Sequence, residues 1–243
     1  MPVDHFGERV AARYDDASGA GVFDPAVIWA TVDVLADLAA GAPVLELGIG
    51  TGRIALPLSE RGVRVHGIDL STAMLARLRE KPGADRIGVT VGDFASTRVP
   101  GTFGLAYLVF NTIMNLTSQD EQVACFRNVA DHLGPGGRFL VEVGVPELQR
   151  LPAGEAFRPF AVSDTKLGFD EYDVATQRLV SHHYSFVDGR ADRFSIPFRY
   201  VWPAELDLMA RLAGMRLLHR WSGWDRLTFT SDSTKHVSVW EKP

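Results

Sequence analysis

Four residues at alternate positions, Glu46, Gly48, Gly50 and Gly52, constrain this chain more than any other feature. They lie in the run Val44-Leu45-Glu46-Leu47-Gly48-Ile49-Gly50-Thr51-Gly52-Arg53. An apolar strand pattern enters a glycine-rich turn, and a helical pattern follows. Glycines let a backbone turn tightly and approach a ligand with no Cβ in the way. The spacing is E-x-G-x-G-x-G. The dinucleotide fingerprint G-x-G-x-x-G, counted from Gly48, needs glycine at position 53, and Arg53 stands there.

The 243 residues suffice for one domain with an insertion or for two small ones, with a sizeable core. A net charge of −5 and no basic stripe argue against a nucleic-acid partner. Cys125 is the single cysteine, so no internal disulfide forms, which fits a reducing compartment. Met1-Pro2-Val3-Asp4-His5 offers no basic or apolar leader region, and no run approaches the ~20 apolar residues of a membrane span. The expectation is a cytoplasmic protein with no membrane partner.

Along the chain, His5 to Ala20 reads as a helix breaking into a loop at Gly19-Ala20-Gly21. Pro25 opens a second helix, Ala26 to Ala39. Strands are expected at Val44–Leu47, Val63–Ile68, Ile87–Val91, Gly104–Phe110 and Arg138–Val143, and helices at Gly52–Arg61, Ser71–Lys81 and Asp120–Leu133. Pro57 is an anomaly inside the first of these helices. Alternating strands and helices with continuously apolar strands predict a parallel sheet covered on both faces. The pattern then changes. Phe157–Ser163, Gly168–Asp173, Leu179–Val187 and Arg193–Val201 are β-rich, and ten of the 46 residues from Phe157 to Trp202 are aromatic, so an antiparallel insertion is expected. A helix resumes at Ala204–Ala213, and strands follow at Arg216–Trp221 and His236–Glu241. The division is a single domain: residues 1–40 a helical cap, 41–150 a cofactor-binding core, 151–202 the insertion, and 203–243 the closing helix and two strands.

Open α/β sheets bind ligands beyond the carboxyl ends of their strands. The second strand runs out at Gly67-Ile68-Asp69-Leu70-Ser71, where a carboxylate can accept both hydroxyls of a ribose. The third runs out at Gly92-Asp93-Phe94, where Asp93 can accept from an exocyclic amine and Phe94 can cover a ring. The fourth runs out at Val109-Phe110-Asn111-Thr112.

With these motifs in order, and with Leu133-Gly134-Pro135-Gly136-Gly137 after them, the chain resembles the class I S-adenosylmethionine-dependent methyltransferases of small-molecule type. The resemblance covers residues 40–145 and, in outline, the tail after 203. It implies a Rossmann-like doubly wound sheet of seven strands whose last strand runs antiparallel. It implies S-adenosylmethionine as cofactor, with Glu46 and the Gly48-Ile49-Gly50 backbone at the methionine part, Asp69 with Leu70 at the ribose, and Asp93 and Phe94 at the adenine. Met74 and Phe110 complete the cofactor-binding set, and Tyr14 is the candidate to close over the cofactor.

Methyl transfer from a sulfonium needs alignment and exclusion of water, and a base only where the acceptor must lose a proton. His182 and His183 are the candidate bases. Side chains alternate across a strand, so at most one of them faces a cleft. His236, Tyr172, Tyr184 and Arg199 are lesser candidates, and Asn111 and Asn115 are candidates to orient substrate or cofactor. No Asn/Asp-Pro-Pro-aromatic motif follows the fourth strand, which argues against nucleic-acid bases and protein amides as acceptors. The insertion, with Trp202, Trp221, Trp224 and Phe229, is a pocket wall, a homodimer interface or plain core. The layout, with an N-terminal helical cap and a β insertion after strand five, resembles enzymes that methylate amino sugars and other secondary metabolites. The leading reading is methyl transfer to oxygen or nitrogen of a small organic acceptor such as a secondary metabolite, without a metal. The alternatives are a non-catalytic cofactor-binding scaffold and a nucleotide-dependent oxidoreductase.

Overall fold

A computed structural model describes residues 4–17, 23–187 and 190–243. The expected first helix is short: α1 spans Glu8–Ala11, and a 3-10 turn follows at Tyr14–Ala17. Isolated short helices are marginal in water, and polar groups here bond outward instead. Asp15 accepts from Thr51 Oγ1 at 2.8 Å, and the Phe6 carbonyl accepts from Ser71 Oγ at 2.8 Å. Residues 19–21, expected as a loop, lie outside the described residues. Helix α2, Pro25–Ala39, starts where proline has no intrahelical bond to lose, and Asp24 Oδ1 accepts the Ala26 N–H at 2.8 Å.

The core then alternates β1 Val44–Leu47, α3 Ala55–Glu60, β2 Val65–Asp69, α4 Thr72–Arg79, β3 Gly88–Val91, β4 Phe103–Leu108, α5 Gln119–His132 and β5 Leu133–Gly144. Helix α3 begins three residues later than expected, which puts Pro57 in its first turn, where no N–H is needed. That removes the anomaly. After a four-stranded insertion come α6 Pro203–Leu212, β10 Arg216–Trp221 and β11 Lys235–Glu241. Numbering the four insertion strands β6 to β9, the main sheet has the order β10-β11-β5-β4-β1-β2-β3. Strands β1 to β5 pair in parallel, and β11 is antiparallel to both of its neighbours, as the resemblance implies.

Both faces of this sheet are covered. On one, Phe126 of α5 packs edge-on against Phe139 at 4.9 Å and Trp240 at 5.5 Å between ring centroids, all three fully buried. On the other, Leu35 and Leu38 of α2 and Leu58 of α3 pack with Val44, Leu105 and Tyr107. Each such side chain contributes about 1.5–3 kcal/mol by burial.

The insertion forms its own antiparallel sheet, β6 Phe157–Val162, β7 Lys166–Asp173, β8 Arg178–Val187 and β9 Arg190–Arg199, in sequence order. Buried Arg199 anchors it. It donates to Gln122 of α5, to Gln177 at 3.1 Å and to Glu205 of α6 at 2.7 Å. Breaking a buried pair of this kind costs about 3–5 kcal/mol, so Arg199 is a structural residue here.

Candidate functional site

The site lies at the carboxyl ends of β1, β2, β3 and β4. Gly48 and Gly50 have left-handed backbones, with φ of +71° and +54°. At Gly48 a Cβ would also meet Thr112 Cγ2 at 2.6 Å. Only glycine suits both conditions. The resulting turn points the Gly50 N–H at Asp69 Oδ2, 2.7 Å away, while Asp69 Oδ1 accepts from Ser71 N at 2.8 Å. Burial raises the Asp69 pKa, and these backbone donors oppose that rise. Ser71 caps α4 through Met74 N at 3.3 Å.

A cleft of about 760 Å³, partly open to solvent, runs along this edge. Gly48, Gly50, Asp69, Leu70, Met74, Asp93 and Phe94 all line it, with Tyr14 from the N-terminal turn. Tyr14 packs edge-on between Phe6 and Phe23, with centroids at 6.4 and 5.6 Å. A smaller space of about 320 Å³ adjoins the cleft through Tyr14, Gly48, Gly50 and Thr112, and adds Glu46, Ile49, Arg53 and Phe110. Asn115 faces the larger part. The eleven residues expected around a cofactor therefore line two adjoining spaces that share Tyr14, Gly48, Gly50 and Thr112.

The smaller space is electrostatically tuned. Glu46 is buried, accepts from Tyr107 Oη at 2.9 Å, and has its pKa pushed up to about 8 by burial, with the Tyr107 bond and Arg53 opposing. The Arg53 guanidinium stands over the rings of Phe23 and Phe110, 5.5 Å from each centroid. Phe110 and Asn111 are two consecutive non-glycine residues in the left-handed region, at φ +57° and +59°. Such conformations cost about 1–3 kcal/mol each and persist only when held. Glu142 and Asn111 hold them: Glu142 Oε2 accepts from Phe110 N at 2.8 Å, and Asn111 Oδ1 accepts from Gly144 N at 2.7 Å.

A third cavity, about 850 Å³, opens on the other side of this turn. Asn111, Met114 and Gly144 form its core side, and Asp170, Tyr172 and Ser181 its insertion side. Neither candidate base lines any of these cavities. His182 lies on the opposite face of the insertion sheet, 3.1 Å from Glu171 Oε2 and 2.9 Å from Ser195 Oγ. His183 lies on the cavity face but at its exposed edge, against Phe160 and Phe194. Tyr184 stacks on Phe169 away from the cavity, and His236 is buried in the core, its pKa lowered by burial to about 4. The aromatic residues are divided: Tyr172, Phe198 and Tyr200 line the cavity, Trp224 is core, and Phe157, Phe160 and Trp202 are exposed.

Comparison with known proteins decides the family. Residues 44–137 match the methyltransferase domain family. The CcbJ methyltransferase from Streptomyces caelestis superposes with a TM-score of 0.87 at 36% identity, over 98% of each chain. This chain belongs to the S-adenosylmethionine-dependent methyltransferases. The cypemycin N-terminal methyltransferase of a Streptomyces species is 29% identical over 207 residues, 83% of the methyltransferase described here and 84% of its relative. S-adenosylmethionine-bound CalS10, an amino pentose methyltransferase from Micromonospora echinaspora, shares the fold with a TM-score of 0.69 at 21% identity, over 96% and 95% of the two chains. Among the described residues of the methyltransferase, no helix is long and apolar enough to cross a membrane, and no cluster suited to a metal ion occurs.

Several residues on or beside these cavities escaped the sequence. Arg53 was legible only as a missing glycine. Tyr107 lies 61 residues from Glu46, and nothing local to either marks the pair. Glu142 and Asp170 sit in strand patterns that read as ordinary β structure.

Proposed function

We propose that the cleft holds S-adenosylmethionine, and that the protein transfers its methyl group to oxygen or nitrogen of a small organic acceptor. The observation that carries this is the placement of Asp69, Asp93 and Phe94 in the cleft and of Glu46 in the space adjoining it, with Tyr14 lining both. The donor set fits the cofactor. Asp69, oriented by the Gly50 and Ser71 N–H groups, is the acceptor for the ribose hydroxyls. Asp93 is turned at the lip by the Ala95 N–H at 2.9 Å and serves the adenine amine, with Phe94 against the ring. Glu46 and the Gly48-Ile49-Gly50 backbone serve the methionine end. Leu70 and Met74 pack along the nucleoside, and Phe110 borders the reacting centre. Tyr14 covers the cleft and excludes water.

When bound, the cofactor supplies an already activated methyl group on a sulfonium. What remains for the protein is alignment and desolvation. The resemblance to an amino pentose methyltransferase supports a small acceptor.

Calorimetric titration with S-adenosylmethionine, S-adenosylhomocysteine and NADH tests the proposal. Micromolar binding of the first two and none of the third is expected. Binding of NADH alone would overturn it.

A further inference from the structure

The third cavity plays no part in cofactor binding as described, yet it shares a wall with the cofactor cleft. Phe110 and Thr112 face the methionine end, while Asn111 between them and Met114 beyond them face the cavity. The cavity and the cleft thus meet along a single turn, itself held in a strained conformation by Glu142.

The charged groups lining the cavity are Glu147, Arg158 and Asp170. Arg158 is committed to an ion pair with Glu147 and to Tyr172. Arg150, outside the cavity, also pairs with Glu147, at 3.3 Å. Asp170 is half-buried, and its direct partner is the neutral Ser181 hydroxyl. The lining therefore carries one negative charge more than it neutralises. Ser181 Oγ is in turn 3.2 Å from His183 Nε2, and His183 opens to solvent at the edge of the sheet. A hydrogen-bonded chain, Asp170–Ser181–His183, joins the cavity wall to water.

We propose that this cavity is the acceptor site, which rests on the adjoining cleft being the cofactor site, and that it takes a protonated amine whose ammonium pairs with Asp170 and gives it a proton. A solvated carboxylate would be a poor base. Burial raises the pKa of Asp170, against the Ser181 hydrogen bond and the charges of His183, Arg158 and His182. The step balances. The ammonium N–H proton passes to the Asp170 carboxylate, leaving a nitrogen lone pair. A nitrogen–carbon bond forms to the methyl as its sulfur–carbon bond breaks, and that electron pair stays on sulfur. Asp170 then releases its proton to water, and the N-methylammonium product leaves protonated. Tyr172, Tyr200, Leu179 and Phe198 supply apolar surface for the carbon frame of the amine. A carboxylate-bearing acceptor fits less well, because Glu147 already occupies the Arg158 guanidinium.

Two probes of equal size and different charge test this: cyclohexylamine, protonated at pH 7.5, and cyclohexanol. Each is titrated by ligand-observed NMR against protein saturated with S-adenosylhomocysteine. The amine is expected to bind at least tenfold more tightly. In Asp170→Asn that preference is expected to vanish while cyclohexanol binding stays unchanged. Equal affinities in the unmodified protein, no amine binding at millimolar concentration, or a preference that survives in a folded Asp170→Asn each overturn the proposal. The comparison in the unmodified protein decides charge selectivity even where the variant fails to fold. A failure of S-adenosylhomocysteine to bind overturns the cofactor assignment instead, and the same two titrations on the free protein then still judge the cavity.

Discussion

The Asp69 carboxylate reaches back 19 residues to accept the Gly50 N–H at 2.7 Å, tying the end of β2 to the turn after β1. The same side chain that we assign to the ribose therefore also shapes the glycine turn. Asp69→Ala removes both roles. It is expected to weaken S-adenosylmethionine binding by roughly 1.5–3 kcal/mol and to lower stability as well. Asp69→Asn keeps one acceptor for Gly50 and is expected to recover most of the stability but little of the affinity. Calorimetry beside thermal denaturation separates the two effects, and unchanged affinity in a folded Asp69→Ala would refute the ribose assignment.

Glu46 makes the fold sensitive to pH in an unusual direction. Its folded pKa is about 8, against 4.5 for the free side chain, because burial disfavours the carboxylate. Between those values the folded protein holds a proton that the unfolded chain has lost. Its stabilising share is complete below about pH 4.5 and is lost as pH rises through 8. Relative to Glu46→Gln, the unmodified protein is expected to lose up to about 3 kcal/mol between pH 5.5 and 8. Urea denaturation of both proteins at the two pH values checks this. Parallel pH dependences would show that Glu46 is already ionised when folded.

Gly48→Ala meets two obstacles at once, a left-handed backbone and a Thr112 methyl 2.6 Å from the new Cβ. The backbone part costs about 1–2 kcal/mol, and the clash adds to it. Thr112→Ser removes the methyl, so the double variant should regain the steric part and keep the backbone part. A double-mutant cycle by chemical denaturation reads the coupling directly. Strict additivity would mean that the turn simply moves aside.

The N-terminal turn is latched over the cleft through Asp15, which accepts from Thr51 Oγ1 at 2.8 Å and pairs with Lys81 at 2.7 Å. Pairs this exposed contribute about 0–1 kcal/mol to stability. Asp15→Ala should barely change the melting temperature, yet it should speed S-adenosylmethionine release several-fold by freeing Tyr14. Stopped-flow displacement measures that rate. An unaltered rate would mean that the latch does not govern closure.

Most of the architecture was legible because it rests on local signals. Pro25 and Ser71 open helices where expected, and the apolar runs expected at Val44–Leu47 and Gly104–Phe110 became buried strands. The N-terminal segment misled because its bonds go to Thr51 and Ser71, partners that no local pattern reveals. For the histidines, alternation separated His182 from His183. Which face the cavity would lie on depends on how the insertion sheet docks through Arg199, a relation between distant segments. Glu46 and Asp69 stood out in the sequence because a turn and a strand end announce them. Asp170 was missed because a carboxylate in a strand is usually solvated.

The cavities divide the chain unequally. Every residue lining the cofactor cleft falls between Asp4 and Leu116, whereas the third cavity draws on Asn111 and Met114, then on 144–200 and Thr234. The two chambers are thus encoded by almost separate stretches that meet at one turn. Substitution or exchange of the later stretch can redraw one chamber while leaving the other chemically intact, provided the Arg199 anchor is kept. Under the proposed assignment of the two chambers, such a chain can diversify what it modifies without having to reinvent how it does so.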